Sequence, residues 1–223
     1  IINEALSYIV HEALSELFHL KDIKFPYEDH KKLYLKKEGI GVTGWSNGSG
    51  EISPHSDDIY EDIEIDLLSL TVCKDKLNVP TTFYQMHDIF QHLSDPELEK
   101  LSRTSATFIS GKNVRDITKM RSRKLVSFDG KDVTMFLDFR IDDEKGERMI
   151  PRLRSDRALL DKIKSNLDKD NCYTSTPGTG TFLIVANFKG LHSRAELDLQ
   201  KITEEEHDDS APRVLFRSKG PKF

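Results

Sequence analysis

Ser53-Pro54-His55-Ser56-Asp57-Asp58 is the stretch on which the fold turns, together with the run Ile63 to Cys73 that follows it. His55 and Asp57 are two residues apart. On an extended backbone, positions i and i+2 point to the same face, so one strand offers an imidazole and a carboxylate to a single point. The residues beyond continue the pattern. Ile63, Ile65 and Leu67 alternate with Glu64 and Asp66, as on a strand with one wet side, and Leu67 to Cys73 is nearly continuous in apolar and β-forming residues. A His-x-Asp pair also occurs in ordinary turns. Its meaning depends on whether the chain supplies a third ligand.

The 223 residues suit one domain, 1–223, with a sizeable core. Charged residues make up 32% and the net charge is −5, which argues against a nucleic-acid partner. No apolar run approaches the roughly 20 residues of a membrane span, and no signal-like segment is visible. Cys73 and Cys172 are far apart and form no disulfide framework, so a reducing, cytoplasmic setting is expected.

Upstream of the motif, Ile2, Leu6, Ile9, Val10, Ala13, Leu14, Leu17 and Phe18 recur at helical spacing. They predict an amphipathic helix laid on a larger body, with His11 and His19 as surface or packing histidines. Helical support of this kind is expected over about 1–38. Gly39 to Gly50 holds five glycines around Trp45. Such a stretch is a flexible hairpin or a loop where backbone approaches closely, and Trp45 is a pocket wall or a core residue. It lacks the spacing of a phosphate-binding P-loop. Asp57, Asp58, Glu61, Asp62, Glu64 and Asp66 lack the EF-hand pattern and read mostly as a solvated acidic face.

Downstream, Pro80 to Tyr84 reads as a strand, and Ser94-Asp95-Pro96 as the start of a second helix after a helical stretch at 86–93. His87 and His92 are five apart, about 140° around a helix, so they cannot readily share a metal. No His-Glu-x-x-His occurs. Residues 104–153 are mostly strands, with Asp129-Gly130 as a hairpin turn. A helix over Ser155 to Lys169 turns Leu159, Leu160, Ile163 and Leu167 inward. A hydrophobic strand, Thr181 to Phe188, precedes Gly190-Leu191-His192-Ser193-Arg194, and residues 201–211 form a polar loop. The last strand, Pro212 to Arg217, carries Arg213 and Arg217 on one side. The chain is thus mainly β with flanking helices, and many short strands favour an antiparallel barrel or jelly roll.

His192 is a candidate third ligand. Two imidazoles and a carboxylate on one side of a metal form the facial triad of non-haem Fe(II) oxygenases. The order of Pro54-His55-Ser56-Asp57, Pro80-Thr81-Thr82, Pro177-Gly178 through Ala186-Asn187-Phe188-Lys189-Gly190-Leu191-His192, and Arg213-Val214-Leu215-Phe216-Arg217 resembles the Fe(II)/2-oxoglutarate-dependent oxygenases. The likeness is to the branch of taurine dioxygenase and the clavaminate-synthase-like amino-acid hydroxylases, and it covers roughly residues 53–217. Two departures are visible. Pro177-Gly178-Thr179-Gly180 lacks the family's Asp, and the interval from His192 to Arg213 is long, which marks 201–211 as an inserted loop or lid.

The resemblance implies a double-stranded β-helix, or jelly-roll, core. It also implies Fe(II) held by His55, Asp57 and His192, with 2-oxoglutarate and O2 as co-substrates. By the same likeness, Arg213 and Thr82 would hold the far carboxylate of 2-oxoglutarate, although Thr81 is adjacent and a slip by one residue would exchange the two. Arg217 would clamp a carboxylate of the substrate. A carboxylate at 57, rather than a small residue that leaves room for halide, points to hydroxylation. The implied reaction is hydroxylation of a small molecule, a free L-amino acid. Asp138 lies in a segment that lines the substrate site in the amino-acid hydroxylases this chain resembles, and it suggests a basic side chain, lysine or arginine, since a cation leaving water needs a carboxylate partner, whereas Asp142 and Asp143 read as a solvated acidic turn. Two alternatives are the same chemistry on a sulfonate or peptide side chain, and a non-catalytic jelly-roll binding protein.

Overall fold

The computed structural model describes residues 4–20, 23, 25, 32–111, 118–130, 132–142, 146–167, 172–203 and 205–220. Asp143 therefore lies outside the described residues. Two four-stranded antiparallel sheets dominate the chain. The first has the order β1 (Lys32–Tyr34), β15 (Arg213–Gly220), β3 (Leu67–Asp75), β13 (Phe182–Ala186). The second has the order β12 (Tyr173–Ser175), β4 (Thr81–Gln85), β14 (Gly190–Arg194), β2 (Ile52–His55). A three-stranded sheet joins β11 (Met149–Pro151), β5 (Ser105–Ile109) and β6 (Met120–Lys124). Two hairpins, β7 (Val126–Asp129) with β8 (Asp132–Met135) and β9 (Ile141–Asp142) with β10 (Gly146–Glu147), complete the strands.

Alternation along the strands decides what each face does. On β15, Val214 and Phe216 enter an apolar cluster with Leu35, Cys73 and Leu77, while Arg213, Leu215 and Arg217 face the opposite way, into a cavity. Leu68 and Leu70 of β3 line the same cavity. From the second sheet it receives Ile52, His55, Thr81, Phe83, His192 and Arg194. The first sheet thus turns two arginines, Arg213 and Arg217, into the space between the two sheets.

The largest apolar core lies beside the sheets. It gathers Phe108, Leu125, Met135, Leu137 and Phe188 with the inward face of the helix α4 (Arg157–Ser165), whose Leu159, Leu160 and Ile163 are buried as their spacing predicts. The signal at Ser94 also holds. The helix α3 (Asp95–Arg103) starts with a capping box in which the Glu97 carboxylate accepts from the Ser94 N–H at 2.8 Å, following the short helix α2 (Met86–Phe90). Asp129-Gly130 makes the expected hairpin, with Gly130 at φ 61°.

Two expectations are overturned. The acidic stretch is not mainly a solvated face: Asp58 and Glu61 are buried and paired with Lys219 (2.7 Å) and Lys119 (2.7 Å), while Asp62 and Glu64 stay exposed. The N-terminal helix α1 (Glu4–Leu17) also lies the other way round. Its buried stripe is Ser7, His11 and Ser15, and Leu6, Ile9, Val10 and Leu17 are exposed. The sheet beneath explains this. With Leu68 and Leu70 turned into the cavity, β3 shows α1 the hydroxyls Ser69 and Thr71, and β15 adds Ser218. His11 bonds Thr71 Oγ1 at 2.7 Å through Nδ1 and Ser218 Oγ at 2.9 Å through Nε2, and Ser15 meets Ser69 at 3.4 Å. A hydroxyl-bearing sheet face selects polar partners, because a buried hydroxyl without one is costly. His11 is fully buried, not a surface histidine. None of the described helices is long and apolar enough to cross a membrane.

His11→Ala should lower the free energy of unfolding by about 2–4 kcal/mol, because it strands two buried hydroxyls and opens a cavity. Urea unfolding followed by circular dichroism measures this. A loss below about 0.5 kcal/mol would mean that α1 is not held through this residue.

Candidate metal centre

His55 ends β2 and His192 lies on β14, and the two strands pair so that these residues are directly opposite. Side chains of a cross-strand pair stand on the same face of the sheet. The ring centroids are 4.2 Å apart. Asp57, two residues past the strand end, brings its carboxylate to both rings: Oδ1 is 3.3 Å from His55 Nε2, and Oδ2 is 3.6 Å from His192 Nε2. One ligand atom from each of the three lies within 4.8 Å of the others. They all line the cavity between the sheets.

The backbone around Asp57 is held on both sides. Ser56 N donates to Leu137 O (2.9 Å), and Phe139 N donates to Pro54 O (3.0 Å), so the motif is clasped between β14 and residues 137–139. The Asp57 N–H donates to Asn187 Oδ1 at 2.7 Å, and Asn187 Nδ2 donates to the carbonyls of Asp57 (3.0 Å) and Ile65 (2.8 Å). Asn187 is fully buried and ties the end of β13 to the motif. Asp58 follows in the left-handed region at φ 55°, a conformation a non-glycine residue keeps only where its surroundings enforce it. Lys219 at 2.7 Å and the Tyr60 hydroxyl at 3.2 Å supply that enforcement.

The protonation states suit a metal. His55 Nδ1 lies 2.8 Å from the carbonyl of Ser53, which can only accept, so Nδ1 carries the hydrogen and Nε2 keeps its lone pair for the cavity. Burial, with the charge of Arg140 and the His192 ring, lowers the His55 pKa to about 4, so the ring is neutral at pH 7. Burial alone would raise Asp57. The neighbouring His192 and His55 rings outweigh it and hold the carboxyl well below its ordinary range. The neutral His55 imidazole, the His192 ring and an ionised carboxylate within reach of one point fit a divalent iron of the facial-triad type.

Arg140 Nη1 stands 3.4 Å from Asp57 Oδ1 and Arg217 Nη1 is 4.0 Å from Oδ2, so a guanidinium flanks each side of the carboxylate. Asp138 lies behind Arg140, not in the cavity. Its carboxylate takes Arg140 Nε at 2.8 Å and Nη2 at 2.7 Å, a two-point grip, and Arg148 Nε is 3.7 Å away. Burial would raise Asp138, but Arg140 and Arg148 outweigh it and lower its pKa. Asp138 is therefore corrected from a substrate residue to the counter-ion of Arg140. Asp142 is buried and likewise does not line the cavity.

Of the two threonines, Thr81 lines the cavity. Thr82 points to the other face and meets Thr174 Oγ1 at 3.1 Å across the pairing of β4 with β12. The side chain that faces the cavity is thus that of Thr81, the neighbour one residue before Thr82. Arg213 is buried in the cavity wall, with Nε donating to Asp75 at 3.1 Å. Trp45 is a core residue, and it is Ser46 that reaches the cavity. In the loop 201–211, Glu206 pairs with Lys76 at 3.0 Å, and none of the described residues lines the cavity.

Arg194 and Asn187 were not singled out from the sequence. Arg194 was within reach of its rules, since it follows His192 by two residues and shares its face. Burial, reinforced by the charge of Arg213, lowers the Arg194 pKa to about 9.

No protein-family model matches the chain, and no curated protein matches it in sequence. Solved structures do resemble it. An asparagine oxygenase in complex with Fe(II), 2S,3S-3-hydroxyasparagine and succinate superposes with a TM-score of 0.69 at 14% identity, over 85% of this chain and 56% of its own. The non-heme iron oxygenase OrfP, in complex with Fe, succinate and (3S)-hydroxy-L-Arg, gives a TM-score of 0.69 at 15% identity, over 95% of this chain and 66% of its own. PvcB from Pseudomonas aeruginosa gives 0.62 at 16%, over 94% and 70%. The chain shares the fold of these proteins and spans little more than half the length of the asparagine oxygenase.

The His55 shift makes a pH prediction for the metal-free chain. Between about pH 6.5 and 4 the unfolded chain binds a proton at His55 that the folded chain refuses, so stability falls as pH falls through that window. The loss from this residue reaches about 3 kcal/mol at pH 4, whereas Asp57 and Asp138 lose their contributions only below it. Urea unfolding at pH 7, 5.5 and 4 should show the loss, and His55→Gln should reduce it. An equal loss in the variant would assign it to other groups.

Proposed function

We propose that this chain is an Fe(II)- and 2-oxoglutarate-dependent hydroxylase of a free amino acid. The observation that carries the reading is the convergence of His55, Asp57 and His192 on one point of a cavity that also contains Arg213 and Arg217. The likeness to two oxygenases described with iron and hydroxylated amino acids supports it. The two four-stranded sheets that face each other across the cavity are read as the two halves of a double-stranded β-helix in one domain spanning the chain. Free Cys73 and Cys172 accord with a reducing, cytoplasmic compartment.

In this reading His55 and His192 offer Nε2, and Asp57 a carboxylate oxygen, to Fe(II). When bound, the metal supplies the oxygen chemistry, in which 2-oxoglutarate and O2 give succinate and CO2 and a substrate C–H becomes C–OH. The protein's own work is to bind, orient and exclude water. Arg213 pairs with the carboxylate of 2-oxoglutarate remote from the metal, and Thr81 adds a hydroxyl beside it. Arg217, next to Asp57, takes the α-carboxylate of the substrate. Leu68, Leu70, Val185 and Leu215 keep the walls dry, which strengthens every charged contact inside. With Asp138 committed to Arg140, the preference for a basic side chain rests on the likeness to OrfP alone.

The test is succinate formation from 2-oxoglutarate by the iron-loaded protein across a panel of free amino acids, with asparagine, lysine and arginine included. His55→Ala, Asp57→Ala and His192→Ala should each abolish turnover and iron binding while the fold is retained. Arg213→Ala should weaken 2-oxoglutarate binding by tens- to thousands-fold, the range that follows from losing about 2–5 kcal/mol at a buried charge pair. Turnover of sulfonated compounds or peptidyl side chains alone would move the substrate class. Failure of the metal-loaded protein to bind 2-oxoglutarate would leave a non-catalytic binding protein of this fold.

A further inference from the structure

Arg194 has no part in the reading above, yet its environment is unusual for a guanidinium. It lies on β14 opposite Thr81 of β4, and both side chains line the cavity with Arg213. Only 7% of Arg194 is exposed. Its Nη2 donates to the carbonyls of Gly48, at 2.9 Å, and Gly50. Its Nε is buried and has no hydrogen-bond partner among the described residues. The glycine loop that supplies the two carbonyls is coiled too tightly for side chains: a Cβ would lie 2.5 Å from Val42 O at Gly48, and 2.7 Å from it at Gly50. The closely approaching backbone expected of this loop therefore serves to hold an arginine.

Arg213 is in a different state. Its Nε donates to Asp75, whose carboxylate also accepts the N–H groups of Leu77 (2.9 Å) and Asn78 (3.0 Å). Arg194 makes no ion pair among the described residues, and the charged groups acting on it are Arg213 and Asp75. Two guanidiniums thus share this end of the cavity with one carboxylate. The surplus is one buried positive charge, which is costly unless an anion meets it. The end in question is remote from the metal centre. Arg217 is near Asp57, and Arg213 precedes it by four residues, roughly 13 Å of extended strand.

We infer that Arg194 is a second binding residue for the remote carboxylate of the oxo acid, with its Nε as donor beside Arg213 and Thr81. The inference rests on the co-substrate reading above and adds a residue to it. It predicts selectivity for dicarboxylic over monocarboxylic 2-oxo acids that depends on Arg194 as well as on Arg213.

The experiment is anaerobic calorimetric titration of the Fe(II)-loaded protein with 2-oxoglutarate and with 2-oxovalerate, which has the same chain length and 2-oxo acid head but no remote carboxylate. In Arg194→Met, 2-oxoglutarate should bind at least about tenfold more weakly, with 2-oxovalerate unchanged within about twofold. Arg194→Lys keeps the charge and can still donate to a glycine carbonyl, but it lacks Nε. It should show the same selective loss to a smaller degree, and it decides the matter if the Met variant does not fold. A merely structural role would weaken both ligands in proportion, and that result, or no change in either, would overturn the inference. If the unaltered protein does not bind 2-oxoglutarate at all, the co-substrate reading fails first and this inference with it. Binding of 2-oxoglutarate by the unaltered protein with an unchanged preference in both variants would sink the inference alone.

Discussion

The pairing of His55 with His192 across β2 and β14 is the constraint on which the rest depends. A sheet has a side-chain period of two, so a slip of one residue in this register would turn one imidazole out of the cavity. The neighbouring strand carries the same dependence. On its other edge β14 pairs with β4, in a second register that places Thr81 opposite Arg194 and Phe83 opposite His192. The two registers of β14 together set which side chains reach the cavity. Asn187 then fixes the remaining variable, the position of Asp57 beyond the strand end, by bonding its backbone on both the N–H and the carbonyl side.

This arrangement gathers charge that is costly to remove from water unless it is paired. Asp57, Asp138, Arg140, Arg194 and Arg213 are all removed from water to a large degree. Most of that charge is met inside the protein. Asp138 meets Arg140 at two points, and Asp75 meets Arg213 while also capping the turn to Val79. Arg140 then faces Asp57 already neutralised from behind, so it can steady the carboxylate without drawing it away from the histidines. What is not met internally is the cavity itself, with its convergent ligand atoms at one end and the surplus guanidinium at the other. A binding site needs such unfinished contacts.

How much of this could be read from the sequence depended on how local each signal was. His55, Asp57, His192, Arg213 and Arg217 were legible because strand alternation and order along the chain nominate them, and the structure brings all five into one cavity. The choice between Thr81 and Thr82 was not, since both suit a strand and only the pairing with Thr174 shows which face is outward. Asp138 was misread because a carboxylate looks equally available whether or not a guanidinium grips it, and the grip comes from the folded turn of Arg140. The helix α1 was read by its apolar spacing, which is real. Its orientation was decided instead by Ser69, Thr71 and Ser218, which lie far along the chain and became its floor only when β3 turned its leucines to the cavity. Asn187 stands within the stretch from Ala186 to His192, but its side chain acts on the backbone of a residue 130 positions away. Sequence pattern alone does not show such a contact.

The central claim is that the three converging side chains form a metal centre. Its most direct test is a crystal of the protein soaked anaerobically with Mn(II) as a stand-in for Fe(II), with anomalous diffraction recorded above and below the manganese edge. The account predicts a single strong anomalous peak within coordinating distance of His55 Nε2, His192 Nε2 and the Asp57 carboxylate. A peak elsewhere in the chain, or none at this point in a crystal that retains the fold, would contradict it.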